Sequence, residues 1–242
     1  MNRSVQHCLI FLALAAGSLQ AGTITTTIVG TPASTATGNC DPFGCPAFFG
    51  LGTYQQVYAS SAFAGLGAVD IEDIGFFQSQ VLNNGGTLGG GTFTISLSYT
   101  TEAPGSLTIA SGPTANVEAG TDDVFFTAPL PAMTPYLSEN ILTFAGTPFA
   151  YDPSLGNLLM TVSVTGATNT PPFVFLDVSG ASSAALTSSA YFGSMNAANS
   201  GGLVTGFNTT PQEGSAVPEP ASVLLVVAGI GLIGYRSRRR AS

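Results

Sequence analysis

Residues that end helices interrupt the central part of the chain at short intervals. The chain between these breaks is rich in Val, Phe, Thr and Ser, and no long amphipathic helical pattern is present. The breaks are clusters of Pro and Gly at 31–38, 104–105, 128–135, 146–156, 166–172 and 199–202. This is the composition of strands and turns, so it predicts an all-β fold.

The clearest strand is predicted at residues 92–100. Phe93, Ile95, Leu97 and Tyr99 alternate there with Thr and Ser, as in an antiparallel strand with one wet face. Further strands are predicted at 23–29, 53–59, 67–77, 122–127, 139–144, 158–165, 172–178, 187–193 and 202–208. So many short strands at even spacing favour an antiparallel β-sandwich, with a jelly roll as the preferred topology.

Positive charge is confined to the two ends of the chain. The basic residues are Arg3, Arg236, Arg238, Arg239 and Arg240, and the single histidine is His7. The part between them, 22–216, carries no Lys, Arg or His but twelve of the thirteen acids. This excludes nucleic-acid binding and predicts repulsion of anionic lipid or polysaccharide unless a divalent cation bridges the two. Solubility of an exported protein is the simplest interpretation of the acidity.

The same composition removes most catalytic arrangements. Without His or Lys, and with its two cysteines expected to be paired, the body has no Ser-His or Cys-His pair and no Schiff-base lysine. A two-carboxylate hydrolase remains as an alternative, although the body lacks the Trp platforms and basic groups common in sugar clefts. We therefore expect a non-catalytic protein.

The two body cysteines, Cys40 and Cys45, lie in the segment CDPFGC. Export favours a disulfide between them, and Asp41-Pro42 and Gly44 supply residues typical of turns. Closing so small a ring is expected to stabilise the fold by roughly 2 kcal/mol. A redox or metal pair is the alternative, but C-x4-C is not a redox spacing and no further ligand completes a zinc site.

Two groups of acids are candidate Ca²⁺ ligands. Asp70 and Glu72 share a face of a predicted strand, and Asp73 points the other way unless a bulge intervenes. Asp122 and Asp123 lie in a predicted loop. Neither group matches a known calcium motif, and solvated acids at strand ends are the simpler interpretation. We expect no cofactor, with Ca²⁺ as the alternative.

Aromatic residues are the other candidates for binding. A sugar groove would need exposed rings, whereas core packing is the usual role of paired phenylalanines in a sandwich. Tyr54 and Tyr58 lie on one side of a strand, where we expect them to pack or hydrogen-bond at its edge. The candidates are Phe48, Phe49, Tyr54, Phe76, Phe77, Phe125 and Phe126.

The first 21 residues have the pattern of a secretory signal peptide. Arg3 supplies the positive charge, 9–16 form the apolar run, and Ala21 is suited to a cleavage site. The sequence therefore predicts a signal helix at 1–21, a β-sandwich body at 22–208 and a polar linker at 209–216.

The C-terminal tail, 217–242, combines three features in a fixed order. Val217, Pro218, Glu219 and Pro220 come first, and the two prolines hold the chain extended. An uncharged run follows at 221–235, which as a transmembrane helix would span about 22 Å against a hydrocarbon core of about 30 Å. The arginines at 236–240 follow directly, and by the positive-inside rule they stay cytoplasmic while the body lies outside.

In these residues the tail resembles the PEP-CTERM sorting signal of exopolysaccharide-producing Gram-negative bacteria. The resemblance implies recognition by a membrane-embedded exosortase, anchoring in the inner membrane before processing, and a final location at the cell surface or in the extracellular matrix. An ordinary single-pass anchor is the alternative. We expect a non-catalytic surface or matrix protein with exopolysaccharide as a partner. The alternative is a Ca²⁺-dependent carbohydrate-binding or adhesion module.

Overall fold

The computed structural model describes residues 23–32, 38–47, 51–79, 86–133, 141–180, 184–194 and 196–212. The predicted signal helix and the tail lie outside them. In the described ranges no helix is long and apolar enough to cross a bilayer. Two short 3-10 helices occupy Ser60–Phe63 and Pro113–Asn116. The strands are β1 (Thr25–Val29), β2 (Gly38–Asn39), β3 (Leu51–Tyr58), β4 (Val69–Phe77), β5 (Gly90–Thr100), β6 (Asp123–Leu130), β7 (Ile141–Tyr151), β8 (Asn157–Thr168), β9 (Leu176–Asp177), β10 (Thr187–Gly193), β11 (Ala197–Asn199) and β12 (Thr205–Pro211).

The strands form two facing sheets and a small cap. One sheet has the order β1-β12-β4-β7, the second has the order β11-β10-β3-β8-β5-β6, and β2 pairs with β9. Every pairing between these named strands is antiparallel. The prediction of an all-β antiparallel sandwich is confirmed. Without β2, β9 and the β10–β11 hairpin, the strands follow the order of a double Greek key jelly roll.

Strand β7 runs through a Pro- and Gly-rich segment that the sequence analysis placed in a loop. It is an edge strand, so Pro148 removes no hydrogen bond of a central ladder. Its pairing with β4 also shifts in register here, between Ile71 and Asp73. Gly146 lets β7 approach β6 closely, because a Cβ atom at this position would overlap the Phe125 carbonyl. The two edge strands β6 and β7 thereby close one side of the sandwich.

The folded body extends past residue 208, where the sequence analysis placed its end. Strand β12 continues to Pro211, and Thr209 is buried between β1 and β4. The Thr210 hydroxyl donates to Glu72 at 2.9 Å, and the Gln212 side chain donates to the Val69 carbonyl at 3.3 Å. The predicted start of the linker at residue 209 is therefore wrong, because β-branched threonines there complete the sheet.

Strand β5 has one buried face as predicted, but its other face is not uniformly wet. Ser98 and Thr100 are buried although they alternate with the core residues. The reason is that Leu107, from the segment after β5, packs in a second apolar cluster with Val57 and Leu159. These last two side chains point away from the main core, so the segment after β5 covers the outer side of the larger sheet.

A polar network lies inside the sandwich. Gln56 donates to the Leu203 carbonyl at 2.8 Å and accepts from the Leu203 N–H at 2.8 Å, as a neighbouring strand would. Tyr54 donates to the Gln56 side-chain oxygen, and the Tyr58 and Thr205 hydroxyls are 2.9 Å apart. Tyr54 and Tyr58 therefore pack and hydrogen-bond as expected, but on the central strand β3 and not at a sheet edge.

We predict that replacing Gln56 by Ala lowers the free energy of unfolding by about 2–4 kcal/mol. The buried Leu203 N–H and the Tyr54 hydroxyl lose their Gln56 acceptor, and the Leu203 carbonyl keeps only the Thr205 hydroxyl as a donor. Urea denaturation followed by tyrosine fluorescence measures this. The matched control is Gln212→Ala at the surface end of β12, for which we expect a loss below about 1 kcal/mol. Equal losses in the two variants would contradict the structural role assigned to Gln56.

Candidate functional site

The three acids of β4 lie on one face of the smaller sheet. Ile71 and Ile74 are both buried although they are three residues apart, because the strand is irregular between Ile71 and Asp73. This irregularity turns Asp73 to the outer face, where Asp70 and Glu72 also lie. The sequence analysis named a bulge as the condition for this arrangement. Two of the three accept hydrogen bonds, Glu72 from Thr210 and Asp70 from Gln212 at 3.2 Å.

These three carboxylates share a face without converging on a point. Across the ranges that the structure describes, the one group of three acidic or thiol side chains with ligand atoms all within 4.8 Å is Cys40, Asp41 and Cys45. Its two sulfur atoms are joined in a disulfide, so they are not free thiolates. Calcium binding by the β4 acids stays a prediction.

The second predicted pair, Asp122 and Asp123, lies at the exposed start of β6. Partial burial, and then the charge of Asp123, raises the pKa of Asp122. The pair is therefore a site of local repulsion between like charges. A bound cation would relieve this repulsion, but two carboxylates supply fewer oxygens than the six to eight that Ca²⁺ takes.

The disulfide between Cys40 and Cys45 is present, as predicted, but its loop is not a surface turn. Residues 41–46 are buried, and the Phe43 ring packs between the sheets with centroids 4.9 Å from both Phe76 and Phe144. The loop is a plug that fills one end of the core. The signal that sequence reasoning missed is the large apolar residue between Pro42 and Gly44, where an exposed turn would carry a polar one.

Asp41 is the buried carboxyl group of this plug, with 3% of its surface exposed. Burial raises its pKa to about 7. The nearby Cys45 sulfur, 3.2 Å away, carries no proton in the disulfide and cannot donate to it. Because the body contains no positive side chain, the carboxyl group has no salt-bridge partner there and favours its neutral form near neutral pH.

A polar cleft of about 350 Å³ opens beside this plug. Asn39 donates to the Tyr191 hydroxyl at 2.6 Å, and Ser189 donates to the Gly201 carbonyl at 2.8 Å. Burial, and to a smaller extent the Asp41 charge, raises the pKa of Tyr191 to about 12. The lining offers hydroxyl and amide groups without a charged side chain. It can hydrogen-bond a small neutral molecule, but it holds no activated nucleophile or base.

Sequence reasoning missed this cleft because its residues come from distant segments. Asn39 lies on β2, Tyr191 on β10 and Asn199 on β11, and only the fold brings them together. None of these residue types stands out in a chain rich in Ser, Thr and Asn.

Of the aromatic candidates in the described ranges, Tyr54 alone is among the residues that line the polar cleft, and only 1% of its surface is exposed there. Tyr54, Phe76 and Phe125 are buried in the core, and the half-buried Phe126 packs edge-on against Phe144 at 5.0 Å. Phe77 is half-buried on the outer side of β4. The prediction for Phe48 and Phe49 concerns residues outside the described ranges.

Comparison with known proteins finds one match. Residues 216–240 match the family model of the PEP-CTERM protein-sorting motif, which confirms the resemblance. Val217 to Pro220 and the arginines from Arg236 to Arg240 all fall in this range, outside the described residues. No curated protein and no solved structure matches the chain. The motif marks an exported protein that an exosortase-type membrane enzyme recognises and that is anchored in the membrane before processing.

We predict that stability falls with rising pH because of Asp41. Its folded pKa of about 7 lies above the unfolded value of 3.8, so its proton stabilises the fold at acid pH. That contribution is lost as the pH rises toward 7, by at most about 1.4 kcal/mol per pH unit. Asp41→Asn should remove this loss and be the more stable protein at pH 8.

Urea denaturation between pH 4 and 8 measures the effect. Glu118→Gln, which changes an exposed acid, is the matched control and should keep the wild-type pH dependence. If the stability of Asp41→Asn followed the wild-type pH dependence throughout, the assignment of Asp41 as a buried, neutral carboxyl group would be wrong.

Proposed function

We propose that this is a non-catalytic β-sandwich protein that an exosortase processes and leaves at the cell surface or in the exopolysaccharide matrix. The observation that carries the proposal is the sorting motif at 216–240. The described body supports the non-catalytic part. Asp41, the carboxyl group whose pKa rises to about 7, is enclosed beside a disulfide, and the polar cleft is lined by hydroxyl and amide side chains without a charged one.

The tail acts in this proposal through its three parts. The uncharged run at 221–235 holds the protein in the membrane, and the arginines keep the end of the chain cytoplasmic. Pro218 and Pro220 keep the motif extended, so an enzyme can bind it as a strand. From Gln212, the last described residue of the body, to Val217, five residues span at most about 17 Å. The exosortase must therefore act close beneath the sandwich.

The charge of the body suits a location outside the cell. Twelve carboxylates without a positive side chain keep the body soluble and away from the anionic membrane surface. A neutral polysaccharide meets no repulsion from such a surface, whereas an acidic one requires bridging cations. Exopolysaccharide is the partner that we propose on this basis.

We predict that Glu219→Ala blocks processing. The variant should accumulate in the membrane fraction with its C-terminus intact through Ser242, while the wild-type protein is shortened. Intact-mass spectrometry of both proteins, purified from an exosortase-containing host, distinguishes these outcomes. The matched control is Glu213→Ala, which lies just outside the motif and should be processed normally. A wild-type protein that retains Ser242 would overturn the proposal.

A Ca²⁺-dependent carbohydrate-binding or adhesion module is the second candidate function. The observation that favours it is the irregularity in β4, which places Asp70, Glu72 and Asp73 on one outer face. A calcium ion bound there would bridge this face to an anionic polysaccharide.

For this second function we predict that millimolar calcium raises the melting temperature by several degrees through mass action. The triple variant Asp70→Asn, Glu72→Gln and Asp73→Asn should lose the shift. The control variant Glu102→Gln with Glu118→Gln, which neutralises acids elsewhere, should keep it. No calcium-dependent shift in the wild-type protein would exclude a stabilising site on β4.

A further inference from the structure

In the part of the chain that the structure describes, the two sheets have four edge strands, and three of them are protected against pairing with another chain. β6 and β7 lie against each other and carry Pro129 and Pro148. β11 is only three residues long. Natural sheets use such contacts, prolines and short edges to prevent association between molecules. The remaining edge, β1, carries no proline and is five residues long, and besides β12 it contacts the short helix Ser60–Phe63.

Strand β1 is regular, uncharged and exposed. It consists of Thr25–Val29, without Pro, Gly or an ionisable residue, and its register with β12 is unbroken. Ile28 is 47% exposed, and Ile24 just before the strand is 64% exposed. Within the described ranges β1 pairs with β12 alone, so alternate N–H and C=O groups along its free side have no strand partner.

We propose that β1 pairs with β1 of a second copy of this chain. The two strands run antiparallel about a two-fold axis at Thr27. Thr26 then stands opposite Ile28 of the second copy, and the smaller sheet continues from one molecule into the other. Thr–Thr pairs and pairs of β-branched residues are favourable across antiparallel strands.

Charge is the reason that the partner is a second copy and not a charged peptide. β1 offers no ion pair that could select such a peptide, and its own sequence meets no repulsion at the seam. The nearest acidic strand is β4, two strands away. In the dimer the two β4 strands are five spacings of ~4.8 Å apart, about 24 Å, whereas the Debye length is about 8 Å in physiological salt. The acidic faces therefore do not oppose the pairing.

The interface is small, and this sets where it forms. Five residues from each copy bury less than the roughly 1,000 Å² of a stable independent interface. Pairing therefore needs a high local concentration, which the sorting tail supplies while it holds many copies in one membrane plane. The proposal depends on the sorting motif but on neither function proposed for the body.

The test is cross-linking of the full chain in the exporting bacterium, with Thr26→Cys and a short bis-maleimide reagent. In the proposed pairing the two residues 26 are diagonal neighbours about 7–8 Å apart, within reach of such a reagent. Cys40 and Cys45 are joined to each other and do not compete. The matched control is Thr143→Cys on the outer face of edge strand β7, also exposed, where the two copies would be about 34 Å apart.

We expect a product of twice the protein mass with Thr26→Cys and none with Thr143→Cys. Adding Ile28→Lys, which places a charge at the exposed edge, should reduce the product at least tenfold without affecting export. Three results would overturn the proposal. They are no product from exported Thr26→Cys protein, an equal yield from Thr143→Cys, and a product whose mass shows a different protein.

Discussion

The body must satisfy its buried polar groups without a positive side chain. In most proteins Lys and Arg balance buried carboxylates and donate several hydrogen bonds each. Here side-chain amide and hydroxyl groups form the hydrogen bonds to the buried polar groups instead. Gln56 joins β3 to the backbone before β12 inside the core, and Gln55 bonds to Asn116 at 2.8 Å on the outer side. Two adjacent residues of one strand thus connect it to both neighbouring layers.

Neutral partners suffice because most acids in the described residues lie at the surface, and only Asp41 and Asp177 are buried. In the described chain the buried side-chain atoms without a hydrogen bond are the hydroxyls of Ser79, Ser98 and Thr187, whose desolvation costs far less than that of a charge. Asp41 is the informative one of these two. Its raised pKa shows the consequence of burying a carboxyl group where no cation is available, and the disulfide holds it in place while Phe43 fills the core.

The sequence was sufficient for the fold class and for the sorting motif, because alternation along a strand and the order of motif, apolar run and arginines are local patterns. Strand ends were harder to predict. The Pro and Gly of β7 read as a loop until its place at a sheet edge, opposite β6, is known. The cleft around Tyr191 and the burial of Ser98 depend on segments that meet only in the fold, so no local pattern could reveal them.

In the proposed membrane-anchored form, the absence of positive charge that shapes the interior also sets the orientation of the chain. Orientation follows the Lys and Arg residues within about 15–20 residues of a membrane segment. On the body side of the run at 221–235 there is none in that range, whereas four arginines stand on the other side. A surface lysine near β12 would reduce the difference in positive charge between the two sides of this run. The same composition therefore supports a fold held by neutral hydrogen bonds and, in the proposed anchored form, a single orientation in the membrane.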